Sequence, residues 1–301
     1  MAATPVPETA PHPERTALQI IQDTHDILMM VYPKTADGNF HHNITQDDVR
    51  TIYDMIAIRK NTKRKLLICL DTGGGNVYAA VKIMNILRHR YPEDIMIAVM
   101  EEAKSSGTMM CLAANSIVMS HASELGPLDK PLQHPNDETY TISALDITKS
   151  LDAIIDTALD KQKQLARTMI GRGLKRQVAY EVSGKAIAEL MSPLLAKQDV
   201  MIYNQALRLL RMAEVYGKKF LNQYSLKWIK DDNLRNKITD IVIERLIWSY
   251  PDHNFAICRD DCENDLLLHV KKAEETGYWD DLWKRFSDMI DSTEKKFTFL
   301  D

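Results

Sequence analysis

The sequence predicts an α/β protein with a mainly parallel sheet in its first half and a helical C-terminal half. Two observations predict this class. Over residues 66–119, short apolar runs alternate with segments in which apolar residues recur at helical spacing, as in consecutive β-α-β units. From residue 143 onwards, helical spacing dominates. Because β-α-β units join parallel strands by right-handed crossovers, the carboxyl ends of those strands are expected to form the functional edge.

Composition and charge exclude several classes of protein. The 301-residue chain is 45% hydrophobic and 27% charged, as in ordinary globular proteins. Its formal net charge of -4, with acidic and basic residues interspersed, predicts neither nucleic acid nor an anionic membrane as partner. No apolar run approaches the roughly 18–20 residues that span a bilayer. The first residues do not resemble a secretory signal, so a cytoplasmic location is expected.

Three regions are expected along the chain. Residues 1–14 are rich in proline and predict a disordered leader. Residues 15–142 are expected to form the core and carry the active-site loops. Residues 143–301 are expected to form a helical extension that includes a short strand and helix near 250–270.

The expected elements follow from spacing and turn signals. A helix followed by a short strand is expected over residues 15–32, and residues 121–140 are rich in turn formers and predict an irregular segment. Strands are expected at 66–70, 95–100, 117–119 and 255–257. Helices are expected at 46–59, from 77 to about 87, 109–114, 143–170, 178–195, 196–221 and 259–267.

Three consecutive glycines follow the first of these buried strands. Gly73, Gly74 and Gly75 precede the helical spacing that begins at Val77, so the free N–H groups of that helix face the turn. No Lys-Ser/Thr pair or spaced dinucleotide pattern follows, which argues against a nucleotide loop. A set of backbone donors for a developing oxyanion fits better, because glycine lets the chain approach a substrate closely. A purely structural turn is the alternative.

A serine occupies the corresponding position after the next strand. Ser105 lies between the strand at 95–100 and a short helix, on a turn of small residues. A nucleophilic serine needs such a turn, and the N–H of the residue that follows it, here Ser106, commonly serves as an oxyanion donor. The alternative is that both serines only cap the helix that begins near Thr108.

Three segments, in this order, resemble the motifs of a known family: DTGGGN, AKSSGTMMCLAANSIVM and SELGPLDKP. The family is the serine dehydrogenase proteinases, a branch of the Clp peptidase and crotonase superfamily that also contains signal peptide peptidase A. Two further segments, LLAKQDVMIYNQALRLLRMAEVYGKKFL and YPDHNFAICRDDCENDLLLHV, are similar to its C-terminal region. The resemblance covers about residues 15–270 and implies a crotonase-like β-β-α spiral.

The resemblance also implies roles for individual residues. Ser105 would be the nucleophile, and the loop of Gly74 and Gly75 with the Ser106 amide would form the oxyanion hole. It further implies a homo-oligomer that acts on a protein or peptide. The sequence departs from the family pattern in having Gly73 for proline, Ser106 for alanine, and Lys130 with Leu132 for Pro-Gln.

The general base is not settled by the resemblance. The histidine of Clp peptidases would fall near residues 127–129, where this chain has none. Relatives of signal peptide peptidase A use a lysine from a later helix, which predicts Lys149 or Lys130 here. A solvated surface lysine is the alternative for both. Lys104 is adjacent to Ser105 in the sequence and is expected to point away from it. The remaining candidates are His121, His134 and His253.

The sequence therefore predicts a serine peptidase that acts through an acyl-enzyme, with no cofactor and no metal. A catalytically inactive pseudo-peptidase, serving as an oligomeric scaffold or regulatory partner, is the first alternative. Acyl-CoA chemistry on a crotonase fold is the second, and it would need a groove for adenine and pantetheine that no segment indicates. Spacing and composition do not indicate the substrate or the size of the oligomer.

Overall fold

The computed structural model describes residues 15–35, 38–40, 42–60, 63–129, 131–134, 137–290 and 294–300. It confirms the predicted α/β class with a mostly parallel sheet and a helical C-terminal half. The expected leader, residues 1–14, lies outside the described residues. No helix in the described ranges combines the length and the apolar character needed to cross a membrane.

The strands and helices have the following bounds. The strands are β1 His25–Val31, β2 Lys65–Thr72, β3 Asp94–Ala103, β4 Ser116–Met119, β5 Glu124–Leu125, β6 Pro131–His134, β7 Asp137–Ser143, β8 Ile257–Cys258, β9 Val270–Lys272 and β10 Lys296–Leu300. The helices are α1 Ala17–Thr24, α2 Gln46–Ile58, α3 Val77–Arg90, α4 Ser106–Leu112, α5 Ala144–Gly171, α6 Arg176–Leu195, α7 Val200–Phe220, α8 Asp232–Glu244, α9 Arg259–Asn264 and α10 Trp279–Ile290. Single π-helical turns follow α7 and α8, at Leu221–Ser225 and Arg245–Ser249.

The main sheet has the order β10-β1-β2-β3-β4-β9. The strands from β1 through β4 and β9 run parallel, and β10 pairs antiparallel with β1. β5 extends the sheet beyond the end of β3 and pairs in turn with β8. Helices α2, α3 and α4 are the crossovers between consecutive parallel strands, as the β-α-β pattern predicted.

The central strands are buried on both faces because alternate residues enter two separate cores. On β1, Leu28 and Met30 pack in the core that contains α2, α3 and α4. Ile27 and Met29 point to the opposite face, where side chains of α1 and α10 cover them. This two-sided burial explains why the strands appear in the sequence as continuous apolar runs.

Two parts of the chain differ from expectation. Residues 121–140 are not irregular throughout, because β5 joins the sheet and β6 pairs antiparallel with β7 in a hairpin. Pro131 is the first residue of β6, a position at which a strand tolerates proline. In the C-terminal half, β9 and β10 return to the main sheet, so residues 143–301 supply strands to the core as well as helices.

Candidate active site

The turn that carries Ser105 lies at the carboxyl end of β3. Ser105 precedes the first residue of α4 and has φ 49° and ψ -109°, a conformation that non-glycine residues rarely adopt. The Lys104 N–H donates to the Thr72 carbonyl over 3.0 Å, which joins this turn to the end of β2. Strain of this kind is retained where the surrounding structure enforces it, often at functional sites.

The glycine loop lies directly against the Ser105 turn. Gly74 and Gly75 have φ values of 101° and 140°, which other residues rarely adopt. A Cβ atom on Gly74 would lie 2.7 Å from the Lys104 carbonyl oxygen and 3.1 Å from the Ser105 Cβ. The parallel order of β2 and β3 therefore brings the two glycine-bearing segments together, and a side chain at Gly74 would separate them.

Three backbone amides were expected to form the oxyanion hole. The Gly74 N–H donates to the Thr72 hydroxyl over 3.1 Å, so this amide is already used within the loop. Within the described chain, the Gly75 N–H forms no hydrogen bond. The Ser106 N–H is the first amide of α4 and has no intrahelical acceptor. The N–H groups of Gly75 and Ser106 are thus the two of these amides that could donate hydrogen bonds to a substrate oxygen.

Replacing Gly74 with alanine should lower the free energy of unfolding by roughly 1–3 kcal/mol, because the residue combines a positive φ with a close approach to Lys104. Urea denaturation measures the change. Gly171→Ala is the matched control: an added Cβ there meets nothing within 4 Å, and its helical position favours alanine. If the Gly74→Ala and Gly171→Ala proteins were equally stable, the close approach of Gly74 to the Lys104 carbonyl would not be needed for stability.

The buried carboxylate of Asp71 lies near the end of β2, two residues before the first glycine of the loop. The register of the pairing between β2 and β3 shifts between Leu70 and Thr72. At this point one oxygen of the Asp71 carboxylate accepts hydrogen bonds from the N–H groups of Glu101 and Glu102, over 3.2 and 2.9 Å. Lys34 lies 4.0 Å from the other carboxylate oxygen. Burial raises the pKa of Asp71 to about 7, although Lys34 opposes the shift.

The raised pKa of Asp71 predicts a particular pH dependence of stability. Between its ordinary pKa of 3.8 and about 7, the folded protein binds more protons at this site than the unfolded chain. The free energy of unfolding of the wild type, minus that of Asp71→Asn, should therefore fall as the pH rises through this window. The fall should be at most about 1.4 kcal/mol per pH unit and should level off above the window. Urea denaturation from pH 5 to 8 measures this difference. Asp54→Asn, on the exposed surface of α2, is the control. A difference in the free energy of unfolding between the wild type and Asp71→Asn that does not change with pH would contradict the prediction.

Asp129 links Ser105, the candidate nucleophile, to the second half of the chain. Its side chain is buried, and its carboxylate accepts the Ser143 hydroxyl and the Leu145 N–H, the latter over 3.1 Å. Its main-chain carbonyl accepts the Ser105 hydroxyl over 3.3 Å. Asp129 is thus fixed by the start of α5 while it contacts the candidate nucleophile.

His253 lies on the other side of Asp129. Its Nδ1 is 4.0 Å from the Asp129 carboxylate, and its side chain is 24% exposed. Two main-chain pairings bring these distant parts of the sequence together: the Leu128 N–H donates to the Leu246 carbonyl over 2.8 Å, and β5 pairs with β8. The structure therefore places His253 against the carboxylate of Asp129, the residue whose carbonyl accepts the Ser105 hydroxyl.

The environment of His253 favours its neutral form. Burial lowers the pKa of the imidazole below its ordinary value of 6.5, and the carboxylates of Asp129 and Asp252 oppose this shift. The turn that carries His253 is closed by the stacked rings of Tyr250 and Phe255, whose centroids are 4.9 Å apart. A neutral, positioned imidazole is the form that accepts a proton at pH 7.

The lysines singled out from the sequence have other positions. Lys149 lies on the exposed surface of α5 and donates to the Trp248 carbonyl over 2.9 Å. Lys104 is buried, and its ammonium group pairs with Glu124. Lys130 lies outside the described residues. A role of Lys149 or Lys130 as base thus stays a prediction of the sequence.

Of the other histidines, His121 has an 80% exposed side chain and contacts Arg259 at 3.1 Å. His134 ends β6, and its side chain is not among those described. Sequence reasoning ranked His253 behind the lysines and did not assign Asp129 a role. Both residues lie in segments that carry the family resemblance, SELGPLDKP and YPDHNFAICRDDCENDLLLHV, which is the signal that could have found them.

A narrow pocket opens beside Ser105, the candidate nucleophile, and we call it the Ser105 pocket. Apart from Ser105 and Ser106, its lining residues are apolar and come from α3, α4, α7 and the segment before Asp129. These residues are Val77, Met109, Leu128, Leu209, Met212 and Ala213. The helical half of the chain therefore forms one wall of the candidate site.

The arrangement contains no evident metal centre. Among the described residues, no three His, Cys, Asp or Glu side chains are grouped so that they could hold a metal ion.

Comparisons with known proteins give one similar sequence and several similar structures. No protein-family model matches the chain. An uncharacterised protein of Methanocaldococcus jannaschii is 33% identical over 115 residues, which cover 36% of this chain and 39% of that protein. The chain thus spans well under half the length of this curated relative.

Two solved structures illustrate the structural matches. A mutant of the membrane-bound stomatin-specific protease 1510-N is 20% identical, with a TM-score of 0.30, over 46% of this chain and 64% of that chain. A protein assigned as an enoyl-CoA hydratase from Streptomyces coelicolor is 18% identical, with a TM-score of 0.28, over 41% of this chain and 53% of that chain. Each match covers less than half of this chain.

Proposed function

We propose that this protein is a serine peptidase that cleaves peptide bonds through an acyl-enzyme on Ser105. His253 is the general base, and Asp129 orients it. The observation that carries the proposal is that Asp129 contacts both Ser105 and His253. Its carbonyl oxygen is 3.3 Å from the Ser105 hydroxyl, and its carboxylate is 4.0 Å from His253 Nδ1. Catalytic hydrogen bonds are often long before substrate binds.

Each group has a defined part in the proposed reaction. His253 takes the proton of the Ser105 hydroxyl as its oxygen attacks the carbonyl carbon of the peptide. The amides of Gly75 and Ser106 stabilise the oxyanion that forms. The C–N bond then breaks, and the amine leaves with the proton from His253. Water, activated by His253 in the same way, hydrolyses the ester and restores the serine.

The electrostatics of the site agree with these roles. The lowered pKa of His253 keeps it neutral and able to accept a proton at pH 7. The imidazolium that forms during attack needs a nearby negative charge, which the Asp129 carboxylate supplies. Ser143 and Leu145 hold that carboxylate in place.

A catalytically inactive scaffold is the second candidate. It is favoured by the hydrogen bond of the Ser105 hydroxyl to a main-chain carbonyl, and by a separation between His253 and Asp129 that exceeds hydrogen-bond length. Under the first proposal, substrate binding draws these groups together. Under the second, they stay apart.

Digestion of an unfolded protein separates the two candidates. The purified protein, incubated with casein at pH 7.5, should generate fragments identified by mass spectrometry. The same preparation inactivated by a serine-directed sulfonyl fluoride should generate none. Intact casein after prolonged incubation with the folded protein would overturn the peptidase proposal and favour the scaffold.

The proposal includes a homo-oligomer in the cytoplasm, and exposed apolar residues support an assembly. Leu190, Val200 and Met201, on α6 and α7, are 66%, 68% and 72% exposed. Contiguous exposed apolar side chains commonly mark protein interfaces, and we propose that these three contribute to one. Light scattering should give a mass above 34.4 kDa for the wild type.

A charge on this surface should weaken the proposed assembly. Leu190→Glu should lower the mass measured by light scattering towards that of one chain. Ile58→Glu, at the end of α2 where the side chain is 78% exposed, should leave the mass unchanged. A wild-type protein that is monomeric at high concentration would contradict the oligomer.

A further inference from the structure

The Ser106 hydroxyl is a buried polar group without a partner in the described part of the chain. Ser106 is 2% exposed, and its Oγ makes no hydrogen bond to any described residue. The carbonyls beside it in the turn already accept other groups. The Lys104 carbonyl accepts the Gly107 N–H over 2.7 Å, and the Ser105 carbonyl accepts the Met109 N–H over 3.0 Å. Because a buried hydroxyl without a partner destabilises the folded protein, the fold alone gives no reason for a hydroxyl at this position.

Capping of α4 does not explain the two serines of the turn. The sequence left open the alternative that Ser105 and Ser106 only cap this helix. Ser105 precedes the first residue of α4, and its side chain makes no capping hydrogen bond. Ser106 is the first residue of the helix, and its hydroxyl is unpartnered among the described residues. Alanine at the position of Ser106, as in the family motif, would avoid burying an unpartnered hydroxyl.

The hydroxyl belongs to the residue whose amide is already a proposed oxyanion donor. The Ser106 nitrogen is 3.3 Å from the position that a Cβ of Gly74 would take, so the glycine loop adjoins it. Ser106 also lines the Ser105 pocket together with the nucleophile. Within one serine, three bonds separate the amide nitrogen from the hydroxyl oxygen. A single oxygen atom of a substrate can therefore accept hydrogen bonds from both groups.

We propose that the Ser106 hydroxyl is a third oxyanion donor, in addition to the N–H groups of Gly75 and Ser106. The inference rests on the proposed function and adds a side chain to its catalytic groups. As the Ser105 oxygen attacks, its proton passes to His253 and the π electrons of the carbonyl move to the substrate oxygen. A serine hydroxyl can donate one hydrogen bond to that oxygen. This bond strengthens as the charge develops, so it lowers the barrier more than it tightens substrate binding.

Ser106→Ala removes the hydroxyl and keeps the amide. We expect kcat for a peptidyl aminocoumarin substrate to fall by about 100-fold, the scale expected when one oxyanion donor is lost, while KM stays within about threefold. Initial rates over a range of substrate concentrations measure both constants. Ser183→Ala on α6 is the matched control, because it removes a buried hydroxyl that donates to the Tyr180 carbonyl. It should leave both constants at their wild-type values.

The same substitution should stabilise the fold, because it removes a buried hydroxyl that has no partner. We expect the midpoint of urea denaturation to rise for Ser106→Ala. Ser123→Ala should lower the midpoint, since the buried Ser123 hydroxyl donates to the Val99 carbonyl over 2.7 Å. A Ser106→Ala protein with a lower midpoint and a lower kcat would assign the hydroxyl a structural part and overturn the inference.

A peptidyl trifluoromethyl ketone gives a readout that a structural role would not change. The Ser105 oxygen bonds to the ketone carbon, the serine proton passes to His253, and the former carbonyl oxygen becomes the oxyanion. With carbon-13 at the ketone carbon, NMR follows the ionisation of this adduct as the pH is varied. Loss of one donor should make the oxyanion of the Ser106→Ala adduct form at a pH about one to two higher than in the wild-type adduct.

The adduct also distinguishes the two possible failures. If the wild-type protein forms the adduct, but Ser106→Ala matches it in kcat or in the ionisation of the adduct, the inference is overturned and the proposed peptidase stands. If the folded wild-type protein forms no adduct and cleaves no peptide, the proposed function is overturned and the inference with it.

Discussion

Replacing Ser105 with alanine should lower kcat for peptide hydrolysis by about a million-fold, the scale expected when a serine protease loses its nucleophile. The alanine variant lacks the oxygen that forms the acyl-enzyme but keeps the amides of Gly75 and Ser106. It should also fold, because the hydroxyl that is lost makes one described hydrogen bond, to the Asp129 carbonyl. Initial rates with a peptidyl aminocoumarin substrate measure the effect.

The control for this substitution is Ser150→Ala, which removes an exposed hydroxyl from α5. It should retain the wild-type rate. A Ser105→Ala protein that keeps a tenth of the wild-type activity would exclude an acyl-enzyme on this residue. The hydrolysis would then have to be assigned to another nucleophile.

Replacing His253 with glutamine should lower kcat by about 10⁴-fold or more, because the proton of Ser105 then has no acceptor. The wild-type pH profile should report the same group. Since burial lowers the pKa of His253 below 6.5, the midpoint of the fall in kcat/KM on the acid side should lie below pH 6.5. Stopped assays on both sides of this pH, with the fold checked by circular dichroism at each pH, measure the profile.

Two substitutions distinguish His253 from the bases that the sequence favoured. Lys149→Met removes the lysine on α5, and His121→Gln removes a histidine whose side chain is 80% exposed. Both variants should retain most of the activity. If Lys149→Met is inactive while His253→Gln is active, the base is the lysine and the contact of His253 with Asp129 is structural.

The local parts of the site were predictable from the sequence because neighbouring residues build them. Gly74 and Ser105 each follow a buried strand, and adjacent parallel strands place such residues at one edge. The contact between Gly74 and the Ser105 turn follows from this order. Helical spacing also correctly predicted helices at the positions of α2, α3, α5, α6 and α7, whereas α8 and α10 were not predicted individually.

The proposed base, His253, was not predictable in this way, because contacts between distant segments bring it to Asp129. His253 reaches Asp129 through the pairing of β5 with β8 and the hydrogen bond between Leu128 and Leu246. No local pattern encodes these pairings. Lysine was favoured because it is the base in relatives of signal peptide peptidase A, and the histidine of Clp peptidases is missing from its usual place.

The peripheral strands were missed for a related reason. The sequence does not reveal the hairpin of β6 and β7, because its prolines and polar residues signal turns and its pairing shifts register between Gln133 and His134. β10 is a short segment whose role is to close the edge of the sheet beside β1. β10 can be recognised as a strand only by its pairing with β1, which lies near the opposite end of the chain.

The most direct test of a nucleophilic Ser105 is intact-mass spectrometry after treatment with a fluorophosphonate probe. The wild-type protein should gain the mass of one adduct, and peptide mapping should place it on Ser105. The Ser105→Ala variant should gain none, and His253→Gln should react far more slowly. An unlabelled wild-type protein with intact fold, or equal labelling of wild type and Ser105→Ala, would contradict the assignment of this site as a serine peptidase centre.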